Sequence, residues 1–241
     1  MRYVYRALTL LGGHRAQRVM GAATLVGLAA TVAIGLFVVP PDAEQGDVQR
    51  LMYVHVPAAW VTYLSFGAVF VASIAYLRTG RIQWDRVACA SAEIGVRFCA
   101  LTIVLGALWG RPVWGTWWTW DPRLTLTLIL WMIYAAYLLL RSLANEPQQG
   151  ATLAAILGVS GVVDLYLINR AVYWWRGIHP AVIVNKEGGS GLADPLMRLT
   201  LVVCMLAFFL LFLWLLRLRI RTARMQDTVD DLRAQLAPAT F

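Results

Sequence analysis

The sequence predicts an all-α integral membrane protein, a six-transmembrane helix bundle with short outer interfacial helices, and three observations carry the prediction. The chain of 241 residues is 60% hydrophobic and only 14% charged, a balance foreign to soluble domains. It holds six nearly uncharged stretches that approach or exceed the roughly 20 residues needed to cross a ~30 Å hydrocarbon core. Its Lys and Arg side chains also gather in alternate loops, as cytoplasmic loops require.

The spans fall at about 19–39, 58–77, 87–110, 124–140, 151–169 and 199–216. The first is too long for a cleaved leader, and no small-residue cleavage pattern follows it. The third contains Glu93 and Arg97 at i and i+4, the favourable order for a helical ion pair. Asp121-Pro122 starts the fourth, with Asp as N-cap and Pro at the first helical position, and this role is favoured over direct contact with a metal. The fifth is broken by Asp164, costly inside a membrane unless paired or functional, and Arg170 offers a pairing at the outer interface. With short loops throughout, 1–241 reads as one transmembrane domain and 217–241 as its tail. In that tail Met225, Val229, Leu232 and Leu236 share a helical face, either a docking helix for a cytoplasmic partner or a frayed, solvated end.

Six spans put both termini on one side. That side collects Arg2, Arg6, Arg15 and Arg18, then Arg78, Arg81 and Arg86, then Arg141, then five Arg of the tail. It is therefore expected to be the cytoplasmic side. The last outer loop runs against the trend with Arg170, Arg176, Lys186 and Arg198. Cys89, Cys99 and Cys204 sit in apolar spans and form no Cys-x-x-Cys pair, which excludes a thiol oxidoreductase or a c-type cytochrome. No phosphate loop is present, so any ATP use must come from a partner, and no nucleic acid is expected among the partners.

Eight of the eleven Trp lie at outer helix ends or in outer loops, four of them in the run Trp114, Trp117, Trp118 and Trp120. An interfacial aromatic belt accounts for Trp60 and Trp109 but would populate both faces, whereas only Trp84 and Trp214 lie near the inner one. Two of the three His are also outer. His55 follows Val48, Leu51 and Met52 on one stripe of a short helix that Asp47 would cap and that would lie flat on the outer leaflet, ending where Pro57 opens the second span. His179 follows Trp174, Trp175 and Arg176. Either His alone reads as a structural hydrogen bond. Together, above one membrane face and among indoles, they are what a six-coordinate haem iron requires. Indoles would cover the macrocycle's faces, and Arg111, Arg123, Arg176 and Lys186 are the candidate cations for its propionates, with lipid headgroups the alternative partners for some of them.

The segment Trp114-Gly115-Thr116-Trp117-Trp118-Thr119-Trp120-Asp121-Pro122-Arg123-Leu124-Thr125 resembles the tryptophan-rich signature of the haem-handling superfamily of cytochrome c biogenesis. Within it, Arg123-Leu124-Thr125 resembles the branch called cytochrome c maturation protein C, or haem exporter protein C. Residues 45–60 around His55 and residues 173–180 around His179 resemble the same branch, so the likeness covers nearly the whole chain. The resemblance implies non-covalently and transiently bound haem of b type at the periplasmic face, with axial ligands at His55 and His179. It implies an inner-membrane subunit whose signature aromatics match Trp114, Trp117, Trp118 and Trp120, followed by Asp121 and Arg123. It further implies ABC-type ATPase and permease partners, a small single-span subunit and a periplasmic haem chaperone. The expected role is positioning rather than acid–base chemistry, so the chain is not expected to be an enzyme. Two rivals are a fixed-haem electron-transfer subunit, which would normally place His inside spans, and a haem-free scaffold or permease whose Trp run docks a partner.

Overall fold

The order of apolar runs dictates the architecture: each helix is long enough to cross a bilayer, and successive crossings alternate in direction. The computed structural model describes residues 13–175, 177–179, 192 and 194–236. Its six long helices are α1 (His14–Phe37), α2 (Met52–Thr79), α3 (Ile82–Trp114), α4 (Pro122–Leu143), α5 (Pro147–Trp174) and α6 (Pro195–Leu236). All six are long and apolar enough to span a membrane. Val26, Val71, Val104, Ile156, Val163 and Leu206 face outward, as side chains that meet lipid should.

Helix α2 is the centre of the bundle, packed against α3, α5 and α6, while α4 closes against α3 and α5 and α1 leans on α6. Small residues set the close approaches. A methyl at Gly158 would sit 2.9 Å from Val69 of α2 and 3.2 Å from Tyr137 of α4, so only glycine lets α5 nest there. Phe66 of α2 stacks on Tyr134 of α4 with ring centroids 3.8 Å apart, and the Tyr134 hydroxyl donates to the Gly158 carbonyl at 3.2 Å. A second, smaller core of Val39, Met52, Tyr53, Met197, Leu201 and Cys204 joins α1, α2 and α6 at the end of the bundle where the Trp-rich segment lies.

Several sequence expectations change. A 3₁₀ turn, Asp47–Leu51, runs directly into α2, so no separate helix precedes the span and His55 stands in the first turns of α2. Pro57 lies inside that helix. It removes a single backbone donor, and the burial of Met52, Tyr53 and Ala58 around it carries the helix through. Asp47 caps nothing; it pairs with Arg50 at 2.9 Å, and Arg50 donates to the carbonyls of Gly35 (2.6 Å) and Val39 (2.9 Å) at the end of α1. Asp164 is 7% exposed and makes no pair with Arg170, which lies over the Tyr166 ring. Six residues turn a helix by about 240° net, so the two side chains leave on different faces.

At the far end of the bundle, Glu93 meets Arg97 at 3.5 Å as its spacing predicts and also Arg219 of α6 at 2.5 Å. Arg86 pairs with Asp227 there. Helix α6 therefore continues past residue 216 to Leu236, with Met225, Val229, Leu232 and Leu236 exposed along it.

Candidate functional site

Alternating helix directions bring the start of α2, the end of α3, the start of α4 and the end of α5 to one end of the bundle. They enclose a cavity of about 800 Å³ there, of the size that holds organic cofactors. Helix α3 ends at Gly115, whose φ of 77° is the left-handed cap that a side chain resists, and whose N–H closes on the Arg111 carbonyl at 3.0 Å. That cap launches the Trp-rich loop. Thr116 Oγ1 donates to the Trp118 carbonyl at 3.0 Å, and Trp118 meets Trp120 edge-on at 5.8 Å.

Asp121 then starts α4 as expected, with Pro122 at the first helical position and the Arg123 N–H donated to its Oδ1 at 2.9 Å. Its other oxygen does what the sequence does not disclose. Oδ2 accepts the Ile178 N–H at 2.8 Å, so one carboxylate ties the start of α4 to the loop that carries His179. Gly177 makes this approach possible, since a Cβ there would strike the Asp121 carboxylate.

His55 enters the cavity from α2. Trp109 of α3 meets its ring edge-on at 5.7 Å, and the Trp109 indole N–H is fixed by Gln45 Oε1 at 2.9 Å. A methyl at Gly106 would lie 3.1 Å from His55 Cε1, so the imidazole rests against bare helix backbone. His55 Nδ1 is buried with no hydrogen-bond partner. His179 lines the same cavity, 6.4 Å from Trp114, and its Nδ1 accepts from Arg123 Nη1 at 3.2 Å.

Of the residues expected from sequence, His55, His179, Trp114, Trp117, Trp118 and Arg123 all line this one cavity. Trp120, 75% exposed, and Arg111, which donates to the Gly115 carbonyl, are not part of the lining. Arg176 and Lys186 lie outside the described residues.

The profile of the family described as heme exporter protein C matches residues 6–235. The chain belongs to the heme exporter protein C family. It is 37% identical over 220 residues to heme exporter protein C of Bradyrhizobium diazoefficiens, covering 86% of this chain and 82% of that one. The corresponding protein of Haemophilus influenzae is also 37% identical, over 204 residues, with coverage of 85% and 82%. That of Escherichia coli K12 is 34% identical over 182 residues, with coverage of 76% and 73%.

In this member of the heme exporter protein C family the sequence reading missed Trp109, Gly106 and Tyr63 as parts of the site. Trp109 and Gly106 line the cavity three residues apart on α3, and Tyr63, whose buried hydroxyl has no hydrogen-bond partner, stands two turns beyond His55 on α2. The helical spacing His55–Tyr63 and Gly106–Trp109 was the available signal. It becomes readable only once α2 is continuous through Pro57.

Proposed function

We propose that this chain is the haem-binding membrane subunit of a c-type cytochrome biogenesis system. It holds haem at the periplasmic face through His55 and His179 and presents it to a periplasmic haem chaperone. The observation that carries the reading is a single cavity lined by two imidazoles, three indoles of the Trp-rich run and one guanidinium, with His55 Nδ1 buried and unpartnered. A buried nitrogen without a partner is costly unless a ligand completes it. Among the described residues no group of three or more His, Cys, Asp or Glu converges to hold a bare metal ion. Haem brings its own four equatorial nitrogens and asks the protein only for axial ligands, so two imidazoles suffice.

The protein's part is binding and orientation. Trp114, Trp117 and Trp118 supply apolar cover, His55 and His179 supply nitrogen lone pairs, and Arg123 supplies positive charge for carboxylates. His55 is fixed on a helix and His179 sits on a loop held by Asp121, so the second ligand can withdraw without disturbing the bundle. Release to the chaperone uses that asymmetry, and an ABC-type ATPase with its permease and a small single-span subunit shifts the balance toward the released state. Both termini face the cytoplasm.

The test is the visible spectrum of the purified, haem-loaded protein. Wild type is expected to show a six-coordinate low-spin signal that His55→Ala or His179→Ala shifts or abolishes. Wild-type spectra from both variants would end the proposal. A second measurement addresses how His55 is seated. Gly106→Ala pushes a methyl against the imidazole and should weaken haem binding by about tenfold, the low end of overpacking costs. Gly67→Ala, where an added methyl meets nothing within 4 Å, should leave binding unchanged in the same titration.

A further inference from the structure

Arg123 is anchored through its backbone and movable through its side chain. Its N–H is held by Asp121 Oδ1 at 2.9 Å, and its carbonyl accepts the Thr127 hydroxyl at 2.7 Å. The guanidinium makes no ion pair among the described residues, and the Asp121 carboxylate two positions earlier accepts the N–H groups of Arg123 and Ile178 instead. What Arg123 Nη1 meets is His179 Nδ1, at 3.2 Å.

That contact has a chemical consequence. A guanidinium only donates, so Nδ1 must accept, and the hydrogen of the neutral imidazole sits on Nε2. In this state neither nitrogen offers iron a lone pair: one is occupied by Arg123 and the other carries hydrogen. For Nε2 to ligate, its hydrogen must move to Nδ1, with no net gain or loss of protons. Nδ1–H would then face a guanidinium N–H, two donors with no acceptor between them. Ligation through Nδ1 instead requires Arg123 to vacate that lone pair. By either route, the Arg123–His179 hydrogen bond and an iron–His179 bond exclude each other.

We propose that Arg123 is a latch on His179, opened when a carboxylate of the incoming macrocycle draws the guanidinium away, so that recognition of the carboxylate licenses the second axial bond. The inference rests on the haem-binding reading above. The exchange runs downhill because a carboxylate offers the guanidinium an opposite charge and two parallel bonds, whereas the neutral imidazole offers one lone pair. It also makes the site selective: a macrocycle lacking free carboxylates would meet His55 but find His179 closed.

The experiment titrates the purified full-length protein with ferric protoporphyrin IX and with its dimethyl ester, recording visible and electron paramagnetic resonance spectra. On wild type the free acid should give the low-spin signal of two imidazoles, and the ester a high-spin or single-imidazole signal. In Arg123→Met, whose backbone cap is untouched, acid and ester should give the same two-imidazole signal, with the acid bound on the order of ten- to a hundredfold more weakly. Without any haem, nitrogen NMR should find the His179 hydrogen on Nε2 in wild type, and the Nδ1 resonance should move away from its hydrogen-bonded position in Arg123→Met. If the ester gives the two-imidazole signal on wild type as the acid does, or if Arg123→Met keeps the difference between them, the latch is overturned while haem binding stands. If the free acid gives no two-imidazole signal on wild type, the haem reading falls and takes the latch with it.

Discussion

Replacing Arg141 by alanine should lower the stability of the folded bundle by about 3–5 kcal/mol, the range found when one partner of a buried ion pair is removed. Asp85 is 3% exposed, in the first turn of α3, and Arg141 lies in the last turn of α4. The guanidinium grips both carboxylate oxygens, Nη2 to Oδ2 at 2.8 Å and Nη1 to Oδ1. Each charge also complements the end of its own helix, negative at an N-terminus and positive at a C-terminus. Alanine would leave the Asp85 carboxylate buried and unpaired. Both residues border a cavity of about 440 Å³ at that end of the bundle, and water entering it would bring the loss toward the lower figure. Unfolding in detergent micelles measures the effect. Asp85→Leu combined with Arg141→Met should recover most of the loss, because the cost lies in the unpaired charge rather than the missing contact. A single variant as stable as wild type, or a double variant no better than the single, would show that the pair is incidental.

That pair marks where sequence stops being informative. The six helices were readable because an apolar run of span length has few other fates, and the Asp121–Pro122 start of α4 and the Glu93–Arg97 pair were readable because both are local. Asp85 and Arg141 stand 56 positions apart, as do Arg123 and His179, and only helix packing brings such residues together. Arg141 looked like one more cation on the inner side. Helix α6 outran its apolar stretch because Arg219 and Asp227 find partners on α3, and Ile220 is buried, so packing rather than hydropathy sets where it ends. Asp164 and Arg170 are close along the helix but not in space, so their spacing in the sequence does not disclose that they stay apart. Pro57 reads in the sequence as a helix boundary that would leave His55 on a separate surface helix, but its buried neighbours override that signal. The two imidazoles, the indoles and the cations are legible as site residues from side-chain chemistry, and Asp121 only through the family resemblance. Trp120 shows the limit of that chemistry: it belongs to the Trp run by sequence, yet its ring is turned away from the cavity that the others line.

Asp121→Ala should change the bound spectrum far more than it changes stability. Loss of the N-cap bond to Arg123 alone costs about 0.5–2 kcal/mol. The second bond, to the Ile178 N–H, is a single part-buried bond to a loop rather than within the helix bundle, so its loss adds about 0.5–1.5 kcal/mol to unfolding. It is nonetheless the bond that fixes the residue before His179, and a ligand displaced by even an ångström no longer meets iron along its lone pair. The expected outcome is a modestly lowered midpoint of unfolding with a spectrum like that of His179→Ala. Asp121→Asn keeps one carbonyl oxygen and can satisfy the cap or the loop but not both, so it should fall between. Gly177→Ala separates the two functions from the other side. Its methyl would push the carboxylate off the loop while α4 keeps a capping oxygen, so the spectrum should change with stability nearly intact. If Asp121→Ala instead unfolds readily while its folded fraction keeps the wild-type spectrum, Asp121 serves α4 alone, and the His179 loop is positioned by something other than this carboxylate.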